Sequence, residues 1–223
     1  MIKEKREENP MTAFEKQYME KRAQILVKNL QQRQFEAYYC ADREEALAKA
    51  LELIPEGSTV GWGGCISAET IGLVDAVRKG NFSVIDRDAA PTAEERTQRM
   101  RQCLLADVFL TGANAISLDG QMVNIDGMGN RVAAIVYGPQ SVIVVAGMNK
   151  VVDTLEDAIT RARTVTAPIN KQRFPNAPTP CLVTGSCADC KAPGSICNQM
   201  LITRSTRPAG RIKFILVGEK LGF

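Results

Sequence analysis

The strongest constraint on the fold is an alternation of short apolar runs with longer amphipathic segments along most of the chain. The runs "STVGWG", "FSVIDR", "DVFLTG" and "SVIVVAG" are rich in β-favouring residues and predict buried strands. Segments of about 10–15 residues with helical periodicity separate them, and several begin at a Ser, Thr or Asp that can cap a helix. This alternation predicts an α/β fold with a mostly parallel sheet flanked by helices.

One segment breaks the alternation. Residues 114–126 contain two alternating runs joined by Asp119-Gly120. Asp-Gly is favoured in two-residue hairpin turns of type I′, in which both central residues take positive φ. We therefore expect an inserted β-hairpin with such a turn.

The N-terminal region predicts a long amphipathic helix that starts near Met11. Its apolar side is expected to contain Phe14, Tyr18, Ile25 and Leu30. The mixed charges before it indicate a disordered tail over residues 1–12. Residues 13–223 are expected to form a single α/β domain, because a chain of 223 residues is within the size of one core. That domain includes a cysteine-rich loop at 175–200.

The composition excludes several classes of protein. Lys and Arg number 28 against 25 Asp and Glu, and a net charge of +3 is too small to indicate nucleic acid as a partner. No apolar run reaches the roughly 18 residues needed to cross a bilayer, so no membrane insertion is expected. The charged N-terminus lacks the apolar core of a signal peptide, which favours a cytoplasmic location. Because there is no histidine, Ser-His-Asp and Cys-His catalysis are excluded.

A glycine-rich turn, "GWGGCIS" at 61–67, lies between a predicted strand and a helix predicted over 67–80 with Ser67 as its N-cap. Ligands of parallel α/β sheets bind beyond the carboxyl ends of the strands, and free amides at a helix start can hold an anion. The alternative is a tight strand-to-helix turn that only needs small residues. Cys65, at the start of this helix, is in a position that favours the thiolate.

Two further stretches should lie at the same edge of the sheet, "TGAN" at 111–114 and "NIDGMGNR" at 124–131. Short polar residues and glycines on loops above a rigid sheet suit the binding of a small anionic ligand. The alternative is that they only tolerate left-handed φ and that Asn130 caps the next helix. Lys150, which follows the next strand, could be a further contributor to this site, but the interpretation we favour from the sequence is a surface lysine. The predicted ligand-binding residues are Gly61, Gly63, Gly64, Ser67, Asn114, Asn124, Asp126, Gly127, Gly129 and Asn130.

Four of the seven cysteines lie close together near the C-terminus: Cys181, Cys187, Cys190 and Cys197. The ferredoxin spacing laid from Cys187 requires cysteines at 187, 190, 193 and 197 and then a proline. Pro193 and Asn198 depart from it, and Cys181 could supply the missing ligand. The four thiols therefore predict an iron–sulfur cluster or a tetrahedral zinc ion. A transient Cys187–Cys190 redox pair, or thiols without a role, are the alternatives. The other three, expected to pack in the core, are Cys40, Cys65 and Cys103.

The run from "ADVFLTGANAISLDG" to "VIVVAGMNKVV" (106–152) resembles the lactate-utilisation (LUD) domain family. The segment "TVGWGGCISAETIGL" (59–73) is similar to that family's glycine-rich turn, and "CADCKAPGSIC" (187–197) resembles the tail of its stand-alone members. The resemblance implies a fold similar to the ribose-5-phosphate isomerase and CoA-transferase superfamily. It also implies a link to bacterial operons that oxidise lactate to pyruvate through iron–sulfur proteins.

Three functions remain open at this point. The first is an accessory protein of lactate or related organic-acid oxidation that holds an iron–sulfur cluster or zinc and works with iron–sulfur protein partners. The second is an enzyme that acts on a small anionic, phosphorylated or CoA-like ligand at the glycine-rich loops. The third is a non-catalytic regulatory or assembly module. A homodimer is compatible with each of them.

Overall fold

The centre of the protein is a six-stranded sheet in which every neighbouring pair of strands is parallel. The structure, a computed structural model, describes residues 11–223. Its strands are β1 (Glu36–Cys40), β2 (Thr59–Trp62), β3 (Ser83–Ile85), β4 (Val108–Gly112), β5 (Ala115–Ser117), β6 (Met122–Asp126), β7 (Ser141–Gly147), β8 (Val151–Val152), β9 (Gln199–Thr203) and β10 (Ile212–Val217). The order across the central sheet is β1-β10-β7-β4-β2-β3. The predicted α/β fold with a mostly parallel sheet is confirmed.

Helices cover both faces of the central sheet. They are α1 (Ala13–Gln32), α2 (Arg43–Glu52), α3 (Ile66–Thr70), α4 (Leu73–Lys79), α5 (Ala93–Gln102), α6 (Asn130–Val136), α7 (Leu155–Arg161), α8 (Ala167–Lys171) and α9 (Pro180–Thr184). In β7, Val142 and Val144 belong to the apolar cluster that includes α1 and α6, whereas Ile143 and Val145 belong to the cluster that includes α2, α3 and α4. Successive side chains of a strand point to opposite faces. Burial on both faces explains the unbroken apolar run of this strand.

A second, four-stranded sheet has the order β8-β5-β6-β9. The predicted hairpin is its centre, because β5 and β6 pair antiparallel. On its outer side β6 pairs antiparallel with β9, a strand that the sequence analysis did not predict. We had interpreted residues 175–200 as loop, but they also contain the short helix α9. Pairing with β6 makes a strand of Gln199–Thr203, whose side chains are exposed or only partly buried.

The turn of the hairpin differs from the predicted type I′ turn. Only Gly120 has a positive φ, of 90°, and Asp119 does not. The Gly120 amide donates to the Ser117 carbonyl at 2.8 Å, and Ser117 N donates to Gln121 O at 2.9 Å. This is a three-residue loop with glycine in the left-handed region. A Cβ on Gly120 would lie 3.1 Å from the Leu30 amide nitrogen, so a glycine also allows the turn to pack against α1.

The helix predicted over 67–80 is two helices, α3 and α4. Gly72, with a φ of 78°, separates them and is the N-cap residue of α4. The N-cap of α3 is Cys65 rather than Ser67, because the Cys65 sulfur accepts from the Ala68 amide at 3.3 Å. Ser67 is instead buried, and its hydroxyl accepts a hydrogen bond from the Lys150 ammonium. Glycine in the interior of a helix lowers its stability, which is the physical reason for the break at Gly72.

The apolar side of α1 was predicted wrongly. Three of the residues assigned to it are exposed: Phe14 is 84% exposed, Ile25 is 49% exposed, and Tyr18 is also exposed. The buried residues of this helix are Ala23, Leu26 and Leu30. Their spacing of three and then four residues places them on one side of the helix. Small and aliphatic residues occupy this side because it packs against the apolar cluster that includes residues of β1 and β10. The periodicity of the sequence carries no information about that packing surface.

The predicted disordered tail at residues 1–12 lies outside the described residues except for Met11 and Thr12. Thr12 is ordered as the N-cap of α1, with Glu15 completing a capping box. The assignment of residues 13–223 to a single domain stays a prediction. Among the described residues, no helix is both long enough and apolar enough to cross a membrane.

A pair of neighbouring residues tests which side of α1 packs on the sheet. Leu26→Ala should lower the free energy of unfolding by about 2–5 kcal/mol, because it leaves a cavity in the core. Ile25→Ala should change it by no more than about 0.5 kcal/mol, because the side chain is half exposed. Urea denaturation of both variants and the wild type measures this. Equal effects at the two positions would contradict the orientation described here.

Candidate functional site

A cavity of about 800 Å³ opens at the carboxyl ends of the central strands. Residues that follow β2, β4 and β7 contribute to its wall, as expected for a parallel α/β sheet, and residues that follow β6 of the second sheet complete it. Six of the ten residues predicted to bind a ligand line it: Gly64, Ser67, Asn114, Asp126, Gly127 and Asn130. The structure therefore brings the loops at 61–67, 111–114 and 124–131 together at one place.

The other four predicted residues are not part of the cavity wall. Gly61 packs against Cys103, the residue that directly follows α5, and a Cβ on Gly61 would lie 2.6 Å from the Cys103 sulfur. Gly63 has the side chain of Arg131 against it, where a Cβ would be 3.1 Å from that chain. Gly129 is the N-cap of α6, so Asn130 is its first helical residue and not its cap. Asn124 is fully buried and donates to the Gly112 carbonyl at 2.9 Å. These four residues stabilise the conformation of the loops without lining the cavity.

Lys150 is the most unusual residue in the cavity wall. It had been interpreted as a surface lysine, but it is only 5% exposed. Its Nζ donates to the Ser67 hydroxyl at 3.0 Å and to the Ala113 carbonyl at 3.2 Å. Among the described residues it has no carboxylate partner. Burial lowers the pKa of Lys150 from 10.5 to about 8, and the charges of Arg161 and Arg131 act in the same direction against an opposing effect of Cys65.

Arg131 holds the loops around the cavity together. Its guanidinium donates to the Asn114 side-chain oxygen at 3.0 Å, to the Ile125 carbonyl and to the Gly112 carbonyl at 3.4 Å. It is also part of the cavity wall. Burial lowers its pKa, although an arginine remains charged at any physiological pH. Arg131 lies within the polar loop at 124–131 but was not among the predicted ligand-binding residues.

Three backbone amides donate to the carboxylate of Asp126. One of its carboxylate oxygens accepts from the Gly127 amide at 2.9 Å, and the other accepts from the Arg131 and Val132 amides at 3.0 and 3.2 Å. The side chain thus satisfies the amides at the beginning of α6. Asp126 is a structural anion in this arrangement, and the cavity wall also contains Glu69, Asp75 and Asp88 beside its basic residues.

Two more arginines contribute to the positive potential. Arg161 donates to the Asn114 carbonyl at 2.6 Å and to the Thr166 hydroxyl at 2.7 Å, directly behind the cavity wall. Arg87 lies in the wall beside Gly64. Its Nε is buried without a hydrogen bond, with a carboxylate oxygen of Asp88 at 3.5 Å. Neither was predicted, because their positions depend on packing between distant elements.

The Cys65 thiol does not have the thiolate character that its place at a helix start suggested. It is buried, and burial raises its pKa above 9.0, against a lowering effect of the Ala68 amide and of Lys150. The desolvation of a charged sulfur outweighs the favourable contacts. Cys40 and Cys103 are buried as predicted, and both have raised pKa values for the same main reason.

The four cysteines of the 175–200 loop are free thiols. The pKa of Cys197 is raised by burial and then by the charges of Cys181, Cys187 and Cys190, so the four thiols share one neighbourhood. Within residues 11–223, however, no three Cys, Asp or Glu side chains are arranged as a group that could hold a metal ion. Metal binding by these thiols therefore stays a prediction.

The cysteine loop is joined to the cavity. The Asn198 amide donates to the Asp126 carbonyl at 3.0 Å, and its side chain donates to the Gly127 carbonyl at 2.9 Å. Ile196, next to Cys197, is part of the cavity wall, and a Cβ on Gly127 would lie 3.2 Å from its Cα. A change in the conformation of this loop would therefore act directly on the wall of the cavity.

The depressed pKa of Lys150 predicts a pH dependence of stability. Between about pH 8 and 10.5 the unfolded chain binds more protons at this position than the folded chain, so the free energy of unfolding should rise with pH across that window. The slope is at most about 1.4 kcal/mol per pH unit. Below pH 8 the buried charge is present and this gain is absent.

Subtraction of the free energy of unfolding of Lys150→Met from that of the wild type isolates this effect. Cys65, Arg131 and Arg161 face Lys150 and are the same in both proteins, so most of their own titration cancels. Chemical denaturation from pH 7 to 10 in a buffer without carboxylates measures the difference. A difference that stays constant across this pH range would show that the pKa of Lys150 is not lowered in the folded protein.

Comparison with known proteins identifies the family of the chain. The family model of the LUD domain matches residues 23–217. Among solved structures, the chain is similar to a DUF162 family protein from Deinococcus radiodurans, with 12% identity, coverage of 93% of this chain and 99% of that chain, and a TM-score of 0.48. No curated protein matches. Since the family model covers most of the chain, this protein belongs to the LUD domain family.

Proposed function

We propose that the cavity binds a small organic anion and that the protein is an accessory component of the oxidation of lactate or a related organic acid. Membership of the LUD domain family supports a role related to lactate utilisation. The observation that carries the proposal is the Lys150 ammonium, buried in the cavity wall with only neutral oxygen acceptors. A carboxylate ligand is the group that this arrangement lacks.

A bound anion would compensate the buried positive charge of Lys150. A buried ammonium without a counter-ion costs several kcal/mol relative to water, and a paired and hydrogen-bonded one costs much less. Arg131 and Arg87 add positive charge to the same wall, while Asp126 is occupied by backbone amides. An anion entering from solvent would offset part of the desolvation of the cations in this wall.

A larger anion is the second candidate, and the volume of the cavity favours it. About 800 Å³ is within the range of sites for drug-sized ligands and is far more than a three-carbon acid fills. Arginines at positions 87, 96 and 173 also line the cavity. Arginine forks suit phosphate oxygens, so a phosphorylated or CoA-like ligand would place its anionic groups there.

The proposal includes metal binding in the cysteine loop. A zinc ion or an iron–sulfur cluster would be held by Cys181, Cys187, Cys190 and Cys197, whose thiolates are the ligands that both prefer. The mutual effect of the four thiols on the Cys197 pKa supports this. Such a group would replace the apolar core that the loop lacks, because binding energy at these sites is folding energy. Iron–sulfur proteins are the partners that a cluster would serve.

Calorimetric titration tests the anion site. Lactate, pyruvate, ribose 5-phosphate and acetyl-CoA are titrated into the wild type, Lys150→Met and Lys171→Met. Lys171 is a matched control, since it is fully buried outside the cavity and donates to the Gly194 carbonyl at 3.0 Å. Loss of a charged hydrogen bond of about 1.5–3 kcal/mol should weaken binding roughly 10- to 100-fold in Lys150→Met. Lys171→Met should keep wild-type affinity.

The set of ligands that binds separates the two candidates. Binding of only the three-carbon acids supports the organic-acid role, and preferential binding of the phosphorylated compounds supports the larger anion. Equal affinity of the wild type and Lys150→Met for every ligand would contradict the assignment of the cavity as an anion site.

Metal analysis after anaerobic expression tests the cysteine loop. We expect on the order of one zinc ion or one cluster per chain in the wild type. Serine at the four loop cysteines should abolish this, whereas Cys40→Ala, which removes a buried thiol elsewhere, should not. Iron and zinc each below roughly a tenth of an equivalent in the wild type would refute metal binding, even allowing for partial loss.

A further inference from the structure

We infer that the ε-amine of Lys150 forms a reversible imine with the carbonyl carbon of a 2-oxo acid bound in the cavity. This rests on the proposed anion site and names both its substrate class and the group that reacts. The oxidised product of a 2-hydroxy acid is a 2-oxo acid, so the ligand follows from the proposed role in organic-acid oxidation. The inference adds a covalent step to what would otherwise be simple anion binding.

The amine is positioned for attack rather than held in an ion pair. Nζ has two neutral acceptors, the Ser67 hydroxyl at 3.0 Å and the Ala113 carbonyl at 3.2 Å. An ammonium has three N–H groups, and among the described residues the third has no acceptor. Gly222 packs against the amine on one side, where a Cβ would lie 3.2 Å from Nζ. Lys150 lines the cavity, so the cavity is the direction from which a ligand reaches it.

A neutral amine is available near physiological pH. Burial lowers the pKa of Lys150 to about 8, with further lowering by Arg161 and Arg131 and an opposing effect of Cys65. A lysine is activated as an imine-forming nucleophile in this way, by desolvation and by neighbouring cations. At pH 7 roughly a tenth of the side chains would then be neutral, against less than about a thousandth for an exposed lysine.

Arg131 is the group that would orient the ligand. It lines the cavity and donates to the side chain of Asn114, while Lys150 donates to the carbonyl of the preceding residue, Ala113. The two cations therefore contact the same short segment, residues 113–114. The carboxylate of a 2-oxo acid is directly bonded to its carbonyl carbon, so an arginine that binds the carboxylate places that carbon near the amine.

The step balances without any cofactor. The amine nitrogen attacks the carbonyl carbon and forms a C–N bond, and the π electrons move to the oxygen, which takes a proton. The resulting carbinolamine loses that oxygen as water when the nitrogen lone pair forms the C=N bond. Both protons of the neutral amine leave with the water, and nothing is oxidised or reduced. The Ser67 hydroxyl, within hydrogen-bond distance of Nζ, can move a proton between nitrogen and oxygen.

The consequence is selectivity for one oxidation state. A 2-hydroxy acid has the same carboxylate but no carbonyl carbon, so it can bind only through its charge. A 2-oxo acid gains a covalent bond that water reverses. The protein would then retain the oxidised acid in preference to the reduced one.

Reductive trapping tests the inference. The wild type is incubated with pyruvate and sodium cyanoborohydride at pH 7.5, and intact-mass and peptide mass spectrometry locate the reduced adduct. We expect one adduct per chain, on Lys150, with the rate of trapping increasing between pH 6.5 and 8.5. Lactate should give none. Lys171 is an internal control in the same experiment, because it is equally buried but lies outside the cavity.

Lys150→Arg keeps the positive charge but cannot form an imine. It should give no adduct, whereas Lys171→Arg should be trapped like the wild type. If pyruvate binds but no adduct forms on Lys150 of the wild type, the imine is refuted and the anion site stands. If pyruvate neither binds nor is trapped, the anion site for organic acids and the imine both fail. The measurements on the wild type decide the matter even if a variant does not fold.

Discussion

Burial of both faces of the central parallel sheet is the constraint on which the rest of the structure depends. A parallel sheet needs crossover helices, and these cover both faces, so all its strands end at one edge. The loops that leave β2, β4 and β7 consequently converge there, and the loop that follows β6 of the second sheet joins them. No interaction within the loops themselves is required to assemble the cavity. Arg131 and Asp126 then fix the loops by hydrogen bonds to backbone groups.

Among the described residues, basic side chains in the cavity wall outnumber acidic ones: Arg78, Arg87, Arg96, Arg131, Lys150 and Arg173 against Glu69, Asp75, Asp88 and Asp126. Asp126 is the acidic residue closest to the polar loops, but its carboxylate is occupied by three backbone amides. Within residues 11–223, Lys150 and Arg131 donate to neutral acceptors only, among them oxygens of Ser67, Ala113 and Asn114. Folding has already met the cost of desolvating these cations. An anion that binds beside them would therefore gain electrostatic attraction without that cost.

The cysteine loop and the cavity are neighbours in space although the sequence separates them. Asn198 bonds to the backbone of 126–127, and Ile196 lies in the cavity wall one residue before Cys197. A metal or cluster in the loop would therefore order a part of the cavity wall. This contact joins the two sites of the proposed function, one that binds the organic acid and one that holds the metal.

The sequence by itself determined the α/β class, the parallel strands, the hairpin and the edge of the sheet at which the loops meet. Periodicity and cap residues are local signals, and they do not depend on what packs against them. Tertiary structure alone decided which side of α1 is buried, that β9 is a strand, and which glycines face the cavity. It also decided that Lys150, a surface lysine by its sequence, is buried. Burial and pKa are properties of the surroundings, and for Lys150 those surroundings come from residues as distant as Ser67, Arg131 and Arg161.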